Sequence, residues 1–237
     1  MQGEVTEPNR QQEPRESVLL SLGINIAIPA LILMKFSGEE ALGPVGGLLV
    51  ALAFPLGYGS WDFIRRREWN LISILGLISV LLTGGIGLLQ LDPKWIAVKE
   101  AAVPGIIGIA VLLSLRTPFP IVRTFLYNDK IIRVPEVDAA LAERGNRDAF
   151  ERTLVNASWM LAASFFVSSV LNYVLAKLIV KSQPGTTAFN EELGRMTALS
   201  YPVIVVPSMI IMIAALWYLF HRIRLLTDLD LEQILKT

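Results

Sequence analysis

Several stretches of this chain carry almost no charge for about 18 residues or more, the length at which a helix crosses the hydrocarbon core of a bilayer. In lipid a helix satisfies its backbone N–H and C=O groups internally. A membrane β-barrel would alternate apolar and polar residues, and these runs do not. Six stretches qualify: residues 17–36, 41–62, 71–89, 96–115, 154–178 and 199–220. The expected fold is therefore all-α, a polytopic membrane protein with six transmembrane helices. Composition agrees, with 53% hydrophobic and 18% charged residues against about 25% charged in ordinary soluble domains.

The runs divide the chain into a disordered cytoplasmic tail over 1–16, a six-helix membrane domain over 17–222 and a cytoplasmic C-terminal tail over 223–237. The first segment carries Glu4, Glu7, Glu13 and Glu16 against Arg10 and Arg15, whereas a secretory signal begins with net positive charge. It reads as a tail before a retained helix. Basic residues set the orientation, because cytoplasmic loops carry the excess of Lys and Arg. With both termini inside, 15 of the 21 basic residues fall on the inner side and 6 on the outer side. Arg65, Arg66 and Arg67 are the strongest anchor. Trp61, Trp69, Trp95, Trp217 and Tyr218 stand near span ends, where amphipathic rings favour the interface.

Residues 116–153 form the long inner connection. Pro118 and Pro120 end the fourth span. Ile121, Val122, Phe125 and Leu126, interleaved with Arg123, predict a short amphipathic helix on the membrane surface. Tyr127-Asn128-Asp129 reads as a turn. Pro135 starts a second helix with Val137, Ala140 and Leu141 on one face. Gly145 ends it, and Asp148 is expected to cap the fifth span. The connection reads as a solvated linker or as a docking site for a cytoplasmic partner or anionic lipid.

Ionisable groups inside a bilayer are costly and invite a functional hypothesis. The candidate polar cluster is Asn25, Asp92, Lys99, Glu100, Asn172, Glu192 and Arg195. It could form a polar outer vestibule or a belt of interfacial ion pairs with lysine stems lying along lipid. Lys99 and Glu100 leave their helix about 100° apart, so they are not expected to pair with each other. Lys99 is expected to reach Asp92, Glu191 or Glu192 instead. Pro29 should bend the first span next to Asn25. Gly43, Gly46 and Gly47 in the second span and Gly84, Gly85 and Gly87 in the third predict close helix packing.

The exclusions are broad. Lysine plus arginine equals aspartate plus glutamate at 21 each, which argues against a nucleic-acid partner. Cysteine is absent and His221 is the single histidine, leaving little for a metal site or a catalytic triad. No phosphate loop, nucleophile elbow or zinc-binding helix motif occurs. No cofactor, metal or enzymatic activity is expected.

The order Thr83-Gly84-Gly85, Asp92, Trp95-Ile96 and Lys99, echoed by Phe165-Phe166, Leu171-Asn172-Tyr173, Phe189-Asn190 and Leu193-Gly194, resembles the intracellular septation protein A family of bacterial inner-membrane proteins. The likeness covers roughly residues 41–220. Here Lys99 is followed by Glu100-Ala101 where that family continues with Pro-Thr, and the loop between spans 4 and 5 is longer. The resemblance implies a multi-span protein of the bacterial inner membrane linked to envelope integrity and division. Two functions fit these features. One is a structural or scaffolding protein contacting the bilayer and envelope or division proteins, with self-association as an option. The other is a small-solute or lipid transporter with its vestibule at Lys99 and Glu100.

Overall fold

In the computed structural model of the chain, residues 26–66, 71–118, 120–127, 129 and 131–236 are described. Their regular structure is helical, and the one β-type contact among them is an isolated antiparallel bridge between Ile132 and Leu235. The expected tail over 1–16, Asn25, Arg67, Trp69 and Asn128 lie outside the described residues.

The helices are α1 (Ile28–Lys35), α2 (Gly43–Arg66), α3 (Leu71–Leu88), α4 (Lys94–Ser114), α5 (Ile121–Leu126), α6 (Val134–Glu143), α7 (Arg147–Ile179), α8 (Thr187–Ser200), α9 (Val206–Thr227) and α10 (Leu231–Ile234). A wide π-type turn over Tyr201–Val205 joins α8 to α9. Pro202 and Pro207 cannot donate to the preceding turn, and the Val206 N–H instead reaches the Tyr201 carbonyl. Four helical stretches are long and apolar enough to cross a membrane: Gly43–Trp61, Lys94–Ser114, Arg147–Ile179 and Thr187–Thr227. Leu77–Leu88 is a shorter apolar helix.

α7 is the spine, with α4 and α9 packed along it. Side-chain bonds fix an antiparallel register on both flanks. Ser169 Oγ donates to the Ala101 carbonyl at 2.7 Å. Ser164 Oγ donates to the Ser208 carbonyl at 2.8 Å and Asn156 Nδ2 to the Tyr218 hydroxyl at 3.0 Å. Gly105 and Gly108 let α4 approach: a Cβ on Gly108 would stand 3.1 Å from the Phe166 ring.

The bundle has two distinct ends. At the hairpin end lie the turns 36–42, 89–93 and 180–186. Its core includes Leu33, Leu48, Ile86, Ile96, Leu175, Phe189 and Leu193. At the lobe end lie the described residues of 115–146 and of the C-terminal segment. The core there includes Val122, Ile132, Val137, Leu141, Phe150, Leu219, Ile223 and Ile234. The segment read as a tail is built into this lobe. The Arg133 N–H donates to the Ile234 carbonyl at 2.9 Å, and the Lys236 N–H to the Ile131 carbonyl at 3.0 Å.

Local signals behave as the sequence suggests at Gly145, which follows α6 with φ +65°. They differ at the start of α7. The helix begins at Arg147, so Asn146 holds the N-cap position and Asp148 lies in the first turn. Asn146 makes no capping bond; its amide donates across to the Leu226 carbonyl at 2.8 Å. Tertiary bonding to α9 thus displaces the expected cap.

Candidate functional site

Lys99 lies in the second turn of α4 and is 7% exposed, the one buried charged side chain among the described residues. Its ammonium donates to Ser79 Oγ at 3.0 Å and reaches the Ser79 carbonyl at 3.4 Å. Ser79 stands near the middle of α3, about 13 Å along the axis from its Leu88 end at 1.5 Å per residue. The amine is therefore drawn along the bundle, away from the nearer hairpin turn. Glu100 completes the group: its carboxylate sits 2.7 Å from the Lys99 ammonium.

This corrects the expected pairing. The two Cα–Cβ bonds diverge, but both side chains are long enough to curl together over one turn. A buried ammonium without a countercharge would be far more costly than that curl. The expected partners are engaged elsewhere. Asp92, in the turn before α4, pairs with Lys94 at 3.0 Å and accepts the Lys94 backbone N–H at 2.9 Å. That N–H, then the Lys94 ammonium, hold the Asp92 carboxyl below its ordinary value. Glu192 accepts from the backbone N–H groups of Lys181 and Ser182 and from Ser182 Oγ, each at 2.8 Å. It closes the turn between α7 and α8. Glu191 and Arg195 are exposed on α8.

Asn172 donates to the Ser168 carbonyl at 2.8 Å, one turn back on its own helix. The Ser169–Ala101 bond places Asn172 in the same layer as the start of α4, but its donor is used locally. The cluster read from sequence thus resolves into separate local groups, with Lys99, Glu100 and Ser79 brought together.

A second polar group escaped the sequence reading. Asn190, 1% exposed, donates to Ser37 Oγ at 3.1 Å and to the Pro44 carbonyl at 2.6 Å. Thr187 Oγ1 donates to the Ser37 carbonyl at 3.0 Å. These bonds latch α8 to the turn between α1 and α2. Two glycines make the approach feasible. A Cβ on Gly47 would overlap Ser37, and one on Gly194 would stand 2.7 Å from the Ala30 carbonyl oxygen. The glycine contacts of α3 are more selective than expected. Gly84 and Gly87 face Leu52 and Leu48 of α2, whereas Gly85 meets open space, as do Gly57 and Gly59 at the other end of α2. The 3.6-residue period separates neighbours that a run of glycines makes look equivalent.

Fold and polar groups together define an all-helical protein with four helices long and apolar enough to span a membrane. Comparison with known proteins finds no matching family model, no matching curated protein and no matching solved structure.

Proposed function

We propose that the chain is an integral protein of a bacterial inner membrane, with six transmembrane helices and both termini cytoplasmic, and that it serves a structural or scaffolding role in envelope integrity or division rather than catalysis. The observation that carries this reading is the local satisfaction of three of the candidate polar side chains, all toward the hairpin end. Asp92 pairs with Lys94, Asn172 with Ser168, and Glu192 with its own turn. Such groups stabilise helix ends and helix contacts without a shared solute path. The placement of 15 of 21 basic residues on one side supports the orientation. The septation-family resemblance suggests the process.

Crosslinking in native membranes, followed by copurification and mass spectrometry of proteins and lipids, tests the role. Reproducible recovery of envelope or division proteins is expected; recovery of bulk membrane proteins alone would overturn it. Reporter fusions after Gly38, Asp92, Pro135, Thr186 and Asp230 should read out, out, in, out and in. A reversed pattern would refute the topology.

The Lys99–Glu100 pair favours a second reading, a small-solute or lipid transporter. An ion pair reaching the middle of α3 is an expensive feature in a membrane. Solute flux in proteoliposomes that is abolished by Glu100→Gln would move the function to transport.

A further inference from the structure

The bond between Asn156 of α7 and Tyr218 of α9 marks one edge of that helix pair. Two arginines flank it on the lobe side. Arg152 is four residues before Asn156, and Arg222 is four residues after Tyr218. Because α7 and α9 run antiparallel, each arginine lies one turn beyond the bond, on the same edge and at the same level. Neither forms an ion pair with a described residue, although Asp148 stands one turn before Arg152. Arg222 Nε is buried and has no hydrogen-bond partner among the described residues. Tyr218 accepts the Asn156 amide, so its own hydroxyl proton is left to serve another acceptor.

The surroundings set the depth of this group. Trp159 and Trp217, 57% and 66% exposed, lie within a turn of the Asn156–Tyr218 bond, and the His221 ring stacks on Trp217 at 5.1 Å. Exposed tryptophans favour the boundary between acyl chains and headgroups. Toward the hairpin end the same edge continues with exposed Ala163 and Ala214, an apolar surface suited to a hydrocarbon chain. On the lobe side the arginines stand about 6 Å further on, four residues at about 1.5 Å each; in a bilayer whose boundary lies at the tryptophans, that is the level of the lipid phosphates.

We propose that Arg152, Arg222 and the Tyr218 hydroxyl form a cradle for the phosphate of an anionic phospholipid, with an acyl chain laid along Trp159, Ala163 and Ala214. The guanidinium fork matches phosphate oxygens in geometry and charge, and basic pockets between membrane helices recognise such headgroups. Beyond the proposed function, this requires only that the helices lie in a bilayer with the lobe at its surface.

The test uses the full chain, delipidated in neutral detergent and titrated by native mass spectrometry. The probes are phosphatidylglycerol, phosphatidylcholine with the same acyl chains, and inorganic phosphate. Phosphatidylglycerol should bind at least about tenfold more tightly than phosphatidylcholine. Arg152→Gln and Arg222→Gln should each weaken it by about tenfold, the size of a lost charge-assisted contact. Arg144→Gln, whose native side chain pairs with Asp228, should leave lipid binding unchanged. Arg222→Lys should recover only part of the loss, since it restores charge without the fork. Equal binding of the two lipids by the native chain would overturn the proposal, as would full retention of phosphatidylglycerol by exposed Arg152→Gln. Inorganic phosphate binding as tightly as the anionic lipid would also overturn it, by removing the role of the acyl chain. Should Arg222→Gln fail to fold, the native lipid comparison and Arg152→Gln decide the matter.

Discussion

The hairpin end and the lobe end of this bundle are both cored by apolar side chains, but they are held together by different devices. At the hairpin end, helices approach through glycine. Gly194 faces the Ala30 carbonyl, Gly47 faces Ser37, and a buried amide, Asn190, ties three segments together. At the lobe end the core is built from larger groups, with the Tyr127 and Phe150 rings 4.7 Å apart, and is rimmed by ion pairs. Arg144–Asp228, Arg123–Glu151 and Arg224–Asp230 are all exposed there. Each such pair is worth at most about 1 kcal/mol, so the lobe depends on its core. The contrast lies in what meets at each end: small residues let helix backbones approach closely at the hairpin end, whereas the lobe relies on burial of larger apolar side chains.

That contrast is broken most forcefully from the lobe side. Phe150 is 2% exposed, and truncating a buried Phe costs about 3–5 kcal/mol. Phe150→Ala should raise amide hydrogen exchange throughout α6, α10 and the first turns of α7. Exchange in α8 should stay at its native level. Equal acceleration at both ends would show one cooperative unit rather than two cores. Next in size is Gly194→Ala, which drives a methyl group against a backbone carbonyl that cannot rotate away. The expected cost is about 1–3 kcal/mol, typical of overpacking. The melting temperature in detergent should fall while exchange in the lobe is unaffected.

These two residues also show how far sequence alone reaches. The apolar runs mark the long helices because bilayer-length apolarity is a property of each segment by itself. The inward face of α6, with Val137 and Leu141 buried, was legible from helical spacing. Lys99 stood out as a charge within an apolar run. Its partner did not, because Ser79 is an ordinary serine in another helix until the hairpin folds. The Asn190–Ser37 latch joins residues 153 positions apart, and nothing local in either segment announces it. Gly194 carries only the weak hint of a small residue on a buried face. The place of the C-terminal segment in the lobe is hidden for a related reason: its bridge to Ile132 is a tertiary contact that no local pattern encodes.

Alkaline titration sharpens the comparison at a single group. Tyr127 donates to Asp138 at 2.7 Å. Burial, and then that hydrogen bond, push its phenol well above the ordinary tyrosine value. Its folded form therefore stays protonated where the unfolded chain ionises. The stabilisation is complete below pH about 10 and is lost as pH rises above it, by at most about 1.4 kcal/mol per pH unit. Lobe stability measured by hydrogen exchange should fall more steeply above pH 10 in the native chain than in Tyr127→Phe. Parallel curves would mean that the phenol ionises freely in the folded lobe.

The smallest expected effect lies in α3, where two adjacent glycines should respond differently to the same change. A Cβ on Gly84 would stand 2.8 Å from Leu52 Cδ1, while one on Gly85 would meet nothing within 4 Å. The atom opposing Gly84 is the end of a flexible side chain, so Gly84→Ala requires only a rotamer shift. Gly84→Leu adds three more carbons and must push α2 away, for a cost of about 1–3 kcal/mol. Gly85→Leu places its side chain on an open face. Replacing glycine there also removes a helix-propensity penalty of about 1 kcal/mol. Melting of Gly85→Leu should therefore match or slightly exceed that of the native chain, while Gly84→Leu melts lower. Equal destabilisation by both would mean that another helix covers the Gly85 face, and the glycines of α3 would then pack on two sides.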